Sequence, residues 1–337
     1  MTAQRNIPLS ILDLSFVREG ETPRQALLDS LELARKAEEL GYLRFWMAEH
    51  HNMEGIASAA TSVALGFIGA GTKTIRIGSG GIMLPNHSPL VIAEQFGTLE
   101  SLYPGRVDLG LGRAPGTDHR TARALRRNLG DDSADTFPQD VQELQAYFAP
   151  VASPQSVRAV PGEGLEVPIY LLGSSLFSAQ LAAYLGLPFA FASHFAPEHL
   201  FDALDVYRTE FRPSPTLAKP YAIVAANVVV ADTDEEAEFL FSSAKLGVLN
   251  LLKGKRGKMQ PPERNVDEKW SAEEHAGVER FLRYSFVGSP ETVQNKLRQF
   301  LLETQADELI STARIYDLNA RIHSFELLAK IGNACLT

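Results

Sequence analysis

Five short clusters in this sequence bring together residue types that could do chemistry: Glu49-His50-His51-Asn52, Ser79-Gly80-Gly81, Gly110-Leu111-Gly112-Arg113, Gly173-Ser174-Ser175 and Ser193-His194. The serine pair has the plainest physics. It runs into an apolar helical pattern starting near Leu176, so free backbone N–H groups and two hydroxyls point the same way, and the helix dipole favours an anion there. A serine in that place also caps a helix very often, which would be explanation enough for an isolated motif. Arg113 adds a planar guanidinium suited to phosphate, and Ser178 adds a hydroxyl one turn into the helix. Gly173, Ser174, Ser175, Ser178 and Arg113 are therefore the candidate cradle of a phosphate-bearing ligand.

The other clusters suggest what that ligand would meet. Adjacent residues on an extended backbone point to opposite sides, so His50 and His51 cannot bind one metal ion side by side. A single imidazole suits proton transfer near neutral pH. His50, with Glu49 beside it, is the candidate for catalysis, and His51 reads as a structural residue. Two consecutive glycines, Gly80 and Gly81 after Ser79, allow a flat ring to approach the backbone closely, with a strand bulge as the plain alternative. Gly110-x-Gly112 is no dinucleotide fingerprint, because Pro115 occupies the place of the third glycine and no helix follows at once.

Elements that could position these clusters alternate regularly. Ile7 to Leu14 is an apolar run, and the stretch opened by Thr22-Pro23 and closed at Gly41 has helical periodicity, with Thr22 as the cap. Further strands are expected over Leu43 to Ala48, Thr74 to Leu84, Val107 to Leu111, Val167 to Leu172, Phe189 to Ala192, Tyr221 to Ala231 and Asp307 to Ser311. Helices are expected over Ala57 to Ala70, Pro89 to Leu102, Phe137 to Phe148, Phe177 to Leu185, Pro197 to Phe211, Asp234 to Leu252 and Asn319 to Ile331. Short, continuously apolar strands separated by helices predict a parallel sheet covered on both faces, and eight of them close into a (β/α)8 TIM barrel. All five clusters then fall at C-terminal strand ends, where barrel active sites form. Residues 112–138 and 253–279 are polar insertions, the second carrying the run KGKRGK, and each reads as a binding loop or as disorder. No Pro/Gly/Ser-rich linker divides residues 1–337, which predicts a single domain.

The bulk properties narrow the partners. The chain has 337 residues, 45% of them hydrophobic, and a formal net charge of -9 with no long basic tract, which argues against nucleic acid. Its only cysteine is Cys335, so neither an internal disulfide nor a cysteine metal site is expected. The N-terminus lacks a basic-then-apolar leader, and no run approaches the roughly 18 apolar residues of a membrane span. A cytoplasmic protein without membrane contact is the expectation.

In order and spacing, Glu49-His50-His51, Gly80-Gly81 before Ile82-Met83-Leu84-Pro85, Tyr103-Pro104-Gly105-Arg106-Val107-Asp108-Leu109-Gly110-Leu111-Gly112-Arg113 and Leu172-Gly173-Ser174-Ser175 resemble the bacterial luciferase-like flavin-dependent monooxygenases. Within that group the chain is similar to the YhbW-type branch. The resemblance runs from about residue 7 to the last helix. It implies a barrel that uses reduced FMN and O2 to oxygenate a small organic substrate, with reducing equivalents from a separate flavin reductase or from NAD(P)H. It implies that His50 is the catalytic histidine, that Gly80-Gly81 is a non-prolyl cis peptide under the isoalloxazine, and that Arg113, Ser175 and Ser178 touch the phosphate. It also implies a homodimer joined through the helices after the second and third strands. The chain departs from the luciferase pattern at Gly112, where the α subunit of that family has cysteine, so light emission is not implied.

Other readings remain. An F420-dependent dehydrogenase would use the same scaffold. A metal-dependent barrel hydrolase would draw on His50, His51, His87, His119 and His194, although no His-x-His and no strand-end lysine supports it. A flavin-binding protein without turnover is the third. The substrate wall is expected to include Phe16, Met83, Phe195 and parts of 253–279.

Overall fold

The computed structural model describes residues 7–114, 119–125, 136–150 and 156–333. Residues 115–118 and 126–135 of the first insertion, the side chain of His119, and Cys335 lie outside the described residues.

The first βα unit forms as its sequence dictates. Strand β1 (Leu9–Asp13) is followed by helix α1 (Pro23–Glu39), where the Thr22 side chain accepts from the Gln25 N–H and Pro23 occupies the first turn. The alternation continues with β2 (Arg44–Met47), α2 (Thr61–Gly71), β3 (Arg76–Met83), a 3-10 turn at Leu84–Asn86, α3 (Pro89–Leu102), β4 (Val107–Gly112), α4 (His119–Leu125) and α5 (Phe137–Phe148). It runs on through β5 (Ile169–Gly173), α6 (Leu176–Leu185), β6 (Phe189–Phe191), α7 (Leu200–Thr209), β7 (Ala222–Val230), α8 (Asp234–Leu252), α9 (Ala272–Phe281), β8 (Ser285–Gly288), α10 (Pro290–Thr304), β9 (Glu308–Thr312) and α11 (Leu318–Asn333).

Every pairing between named strands is parallel. Eight strands close a ring in the order β1-β2-β3-β4-β5-β6-β7-β9, with β6–β7 and β9–β1 completing it. The TIM-barrel expectation holds, with one difference. Strand β8 is a ninth strand that pairs with the C-terminal half of β7, Asn227 to Val230, beyond the residues Ala222 to Val224 at which β7 meets β6. Its four residues, SFVG, are too few to show a periodicity in sequence, and neither it nor α10 was among the expected elements.

Strand residues alternate between two cores. Phe45 and Met47 face the layer between barrel and helices, whereas Trp46 and Ala48 join Leu12, Tyr170, Ala190, Ile223 and Ile310 inside the ring. The N-terminal end of the interior holds a charged network. Arg44 pairs with Asp108 at 2.7 Å and with Glu308 at 2.8 Å, and Arg76 also pairs with Asp108. Hydrogen bonds from Ser10 and Tyr221 to Glu308, and from Trp46 to Asp108, reach the same carboxylate oxygens that Arg44 contacts. This network fills that end of the barrel, and the open space lies at the other. Among the described residues no helix is long and apolar enough to cross a membrane.

Candidate functional site at the C-terminal mouth of the barrel

A cavity of about 740 Å³ opens over the C-terminal strand ends. His50, Gly80, Gly81, Arg113, Gly173, Ser174, Ser175 and Ser178 all line it, as do Phe16, Met83 and Phe195. The sequence clusters, far apart along the chain, thus share one space because the ring brings their strand ends together.

At one side, Ser175 is the N-cap residue of α6, yet its side chain makes no capping hydrogen bond. The capping explanation for this serine therefore fails, and its hydroxyl is left to the cavity. Arg113, one residue past β4, stacks with its guanidinium 4.1 Å from the Phe177 ring centroid. No carboxylate among the described residues pairs with it, so its charge is available to an anion at the helix N-terminus.

Beside this cradle the peptide between Gly80 and Gly81 is cis. A Cβ on Gly80 would come within 2.6 Å of Leu12 Cδ1, and one on Gly81 within 2.8 Å of the Gly110 carbonyl oxygen. Gly81 has no room for a side chain against the Gly110 backbone, a side chain at Gly80 would have to displace Leu12, and both glycines line the cavity. These features fit a flat ring carrying a phosphate tail.

Two expected site residues stand elsewhere. Ser79 is fully buried, with its hydroxyl donating to the Gly110 carbonyl (2.8 Å) and accepting from the Gly110 N–H (3.0 Å), so it clamps β3 to β4 instead of facing the cavity. Glu49 is likewise buried behind the wall. Its Oε1 is hydrogen-bonded to both His51 (2.7 Å) and His87 (2.9 Å), and its Oε2 accepts from the Met83 N–H (3.1 Å). Glu49, expected as a catalytic partner of His50, thus braces the ends of β2 and β3 with both oxygens bound within the protein, and it does not line the cavity. Burial opposes its ionisation, but the hydrogen bonds from His51 and His87 outweigh that and hold its pKa at about 2.

Glu49, His51 and His87 place three possible metal-ligand atoms within 4.8 Å of one another. His51 joins this group whereas His50 lines the cavity, in keeping with their opposite directions on the chain. The two imidazoles share one carboxylate oxygen through direct hydrogen bonds, so the cluster is satisfied as a hydrogen-bonded triad.

The structure adds cavity residues that were given no place in the candidate site. His194, expected only as a strand-end histidine, lines the wall with its carbonyl accepting from Asn227 Nδ2 at 2.7 Å. Burial, with the nearby His50 and Arg314, lowers its pKa to about 3, so it is neutral at ordinary pH. Arg314, two residues past β9, also lines the cavity. In sequence, a lone arginine after Thr312-Ala313 has nothing to separate it from a solvated one. From the second insertion, Lys255 to Met259 form part of the wall, held by hydrogen bonds from the Met259 N–H to the Val17 carbonyl and from the Glu19 N–H to the Met259 carbonyl.

A closed parallel (β/α)8 barrel with a cavity at the C-terminal mouth of its strands defines the TIM-barrel class. The chain belongs to the luciferase-like monooxygenase family, whose model matches residues 7–308. It is 55% identical to a luciferase-like monooxygenase of Escherichia coli over 98% of this chain and 99% of that one. It is 40% identical to a Bacillus subtilis protein named N-acetyl-S-alkylcysteine monooxygenase, over 69% of this chain and 70% of that one. Among solved structures, apo-MsnO8 superimposes with a TM-score of 0.90 at 37% identity, covering 97% of this chain and 98% of that one.

Proposed function

We propose that this protein is an FMN-dependent monooxygenase that uses reduced flavin and O2 to oxygenate a small organic molecule. The observation that carries this reading is the convergence, in one cavity, of the Arg113 and Ser174-Ser175-Ser178 cradle, the Gly80-Gly81 surface and His50. The cradle would hold the FMN phosphate, and Gly80-Gly81 would lie against the ring system. Reduced FMN supplies the electrons that activate dioxygen. His50 would hold or move a proton at its imidazole beside the reacting atoms. The largely apolar wall, including Leu12, Phe16, Met83 and Phe195, would exclude water from them. The name of the Bacillus relative supports a small organic substrate.

The wider setting follows from the same reading. NAD(P)H, directly or through a separate flavin reductase, would supply the electrons in the cytoplasm. Pairing with a second copy is supported by exposed apolar side chains on α2 and α3, among them Val63, Phe67, Val91 and Leu102.

The test is direct titration with FMN and F420, followed by admission of air to the anaerobic complex with reduced flavin in an oxygen electrode. Tight FMN binding with oxygen uptake that slows in His50→Ala is the expected result. FMN affinity without oxygen uptake, and indifferent to His50→Ala, would mean a flavin-binding protein without turnover. Preference for F420 would mean a dehydrogenase.

A further inference from the structure

Across the mouth from the phosphate cradle sits a cation that no carboxylate of the described residues pairs with. In the closed ring β9 lies four strands from β4 in either direction, through β3, β2 and β1 or through β5, β6 and β7. Arg314, just past β9, therefore stands diametrically opposite Arg113, just past β4. His50 after β2 and His194 after β6 lie midway between them on the two sides. A ligand phosphate gripped at Arg113 cannot also be the partner of Arg314.

The surroundings of Arg314 are built for a guanidinium yet supply no counter-charge. Its guanidinium lies 4.6 Å from the Phe16 ring centroid, and its Nε is buried with no hydrogen-bond partner. Gly247 of α8 makes room for it, since a Cβ there would be 3.1 Å from Arg314 Nη2. No carboxylate pairs with it among the described residues. Among the described residues, the cavity wall carries Arg113, Lys255, Lys258 and Arg314 and neither Asp nor Glu, in a chain whose net charge is -9. Burial without an anion also pulls the Arg314 pKa down to about 10. A buried, unpaired cation is unfavourable unless a ligand completes it, and the planar fork of arginine matches a carboxylate through two parallel hydrogen bonds.

We propose that Arg314 anchors the carboxylate of an otherwise apolar substrate at the pole of the cavity opposite the phosphate cradle. The apolar body of that substrate then lies over the centre of the mouth, between His50 and His194, and the Lys255 to Lys258 segment guides the anion inward. The inference rests on the reading of the cavity as the site of an oxygenase, but the carboxylate site can be tested without turnover.

The experiment is calorimetric titration of the full chain, flavin-free and FMN-loaded, with 4-phenylbutanoate and its uncharged analogue 4-phenylbutanamide. The wild type should bind the acid at least about tenfold more tightly than the amide, equivalent to about 1.4 kcal/mol. Arg314→Gln should erase that preference, and Arg314→Lys should retain part of it. Both should bind FMN within about twofold of wild type, and Arg314→Gln should melt no lower than wild type, as expected on removing an unpaired buried charge. Gly247→Ala, which favours the helix while crowding the guanidinium, should weaken acid binding and leave FMN binding alone. The proposal is overturned if wild type shows no preference for the acid, or if the preference survives Arg314→Gln. It is equally overturned if Arg314→Gln loses FMN together with the acid, which would assign Arg314 to the cofactor, or melts well below wild type, which would make it structural. If wild type fails to bind FMN yet prefers the acid in a manner dependent on Arg314, the carboxylate site stands and the flavin reading falls.

Discussion

Arg113 and Arg314 show how one residue type takes its meaning from position. Arg113 is aligned with a helix N-terminus and two serine hydroxyls, so it should recognise a phosphate. Arg113→Met is therefore expected to weaken FMN binding by roughly 1.5–3 kcal/mol, about ten- to a hundredfold, while riboflavin, which lacks the phosphate, binds as before. Fluorescence titration with both flavins measures this, and an equal loss for the two would remove Arg113 from the phosphate site. Acid stability belongs to the same scale. His194 has its folded pKa depressed from 6.5 to about 3, so the unfolded chain takes up a proton that the fold refuses, and stability falls as pH drops through that window. Glu49, depressed from 4.5 to about 2, stabilises the fold above pH 4.5 and loses that contribution as pH falls towards 2. Urea denaturation at a series of pH values should show His194→Gln flattening the decline between pH 6.5 and 4.5, and Glu49→Gln flattening it below 4.5. A His194→Gln profile parallel to wild type would refute the assignment.

At the scale of the element, what matters is which part of a strand or helix meets the cavity. Helix α6 ends its approach to the mouth with a serine whose hydroxyl is not used as a cap. Ser175→Ala should consequently change the melting stability by less than about 0.5 kcal/mol, at or below the low end of the usual cost of a lost cap, while FMN affinity drops several-fold. A large stability loss would return Ser175 to a capping role. The ends of β2 and β3 are braced by Glu49, which joins the Met83 N–H to two imidazoles and so ties together the strand ends that carry His50 and Gly80-Gly81. Glu49 acts through the geometry of its neighbours.

The whole molecule divides into a polar, fully packed N-terminal floor and an open C-terminal mouth. Arg44 joins Asp108 and Glu308 in the floor, and the attraction of these carboxylates, against the cost of burial, holds its pKa above the ordinary arginine value. Removing it leaves buried carboxylates short of a partner. Arg44→Met should therefore cost about 3–5 kcal/mol in chemical denaturation while the folded fraction binds FMN normally, because the network lies at the other end of the barrel. A loss of affinity in the folded protein would show that floor and mouth are coupled.

The strand–helix alternation and the barrel class were legible because each depends on local signals, apolar runs and caps such as Thr22-Pro23, and the serines at the start of a helix marked residues that do line the cavity. Strand β8 was not, since four residues carry no period, and its existence depends on the length of β7 beyond its pairing with β6. Nor could the sequence tell Glu49 and Ser79 from cavity residues, because a residue at a strand end can turn into the mouth or into the neighbouring strand. Arg314 makes the same point from the other side. That it stands with its Nε buried, without a carboxylate partner among the described residues and opposite Arg113, follows only from closing eight strands into a ring, since the chain carries the order of its residues whereas ring closure decides which of them share a space.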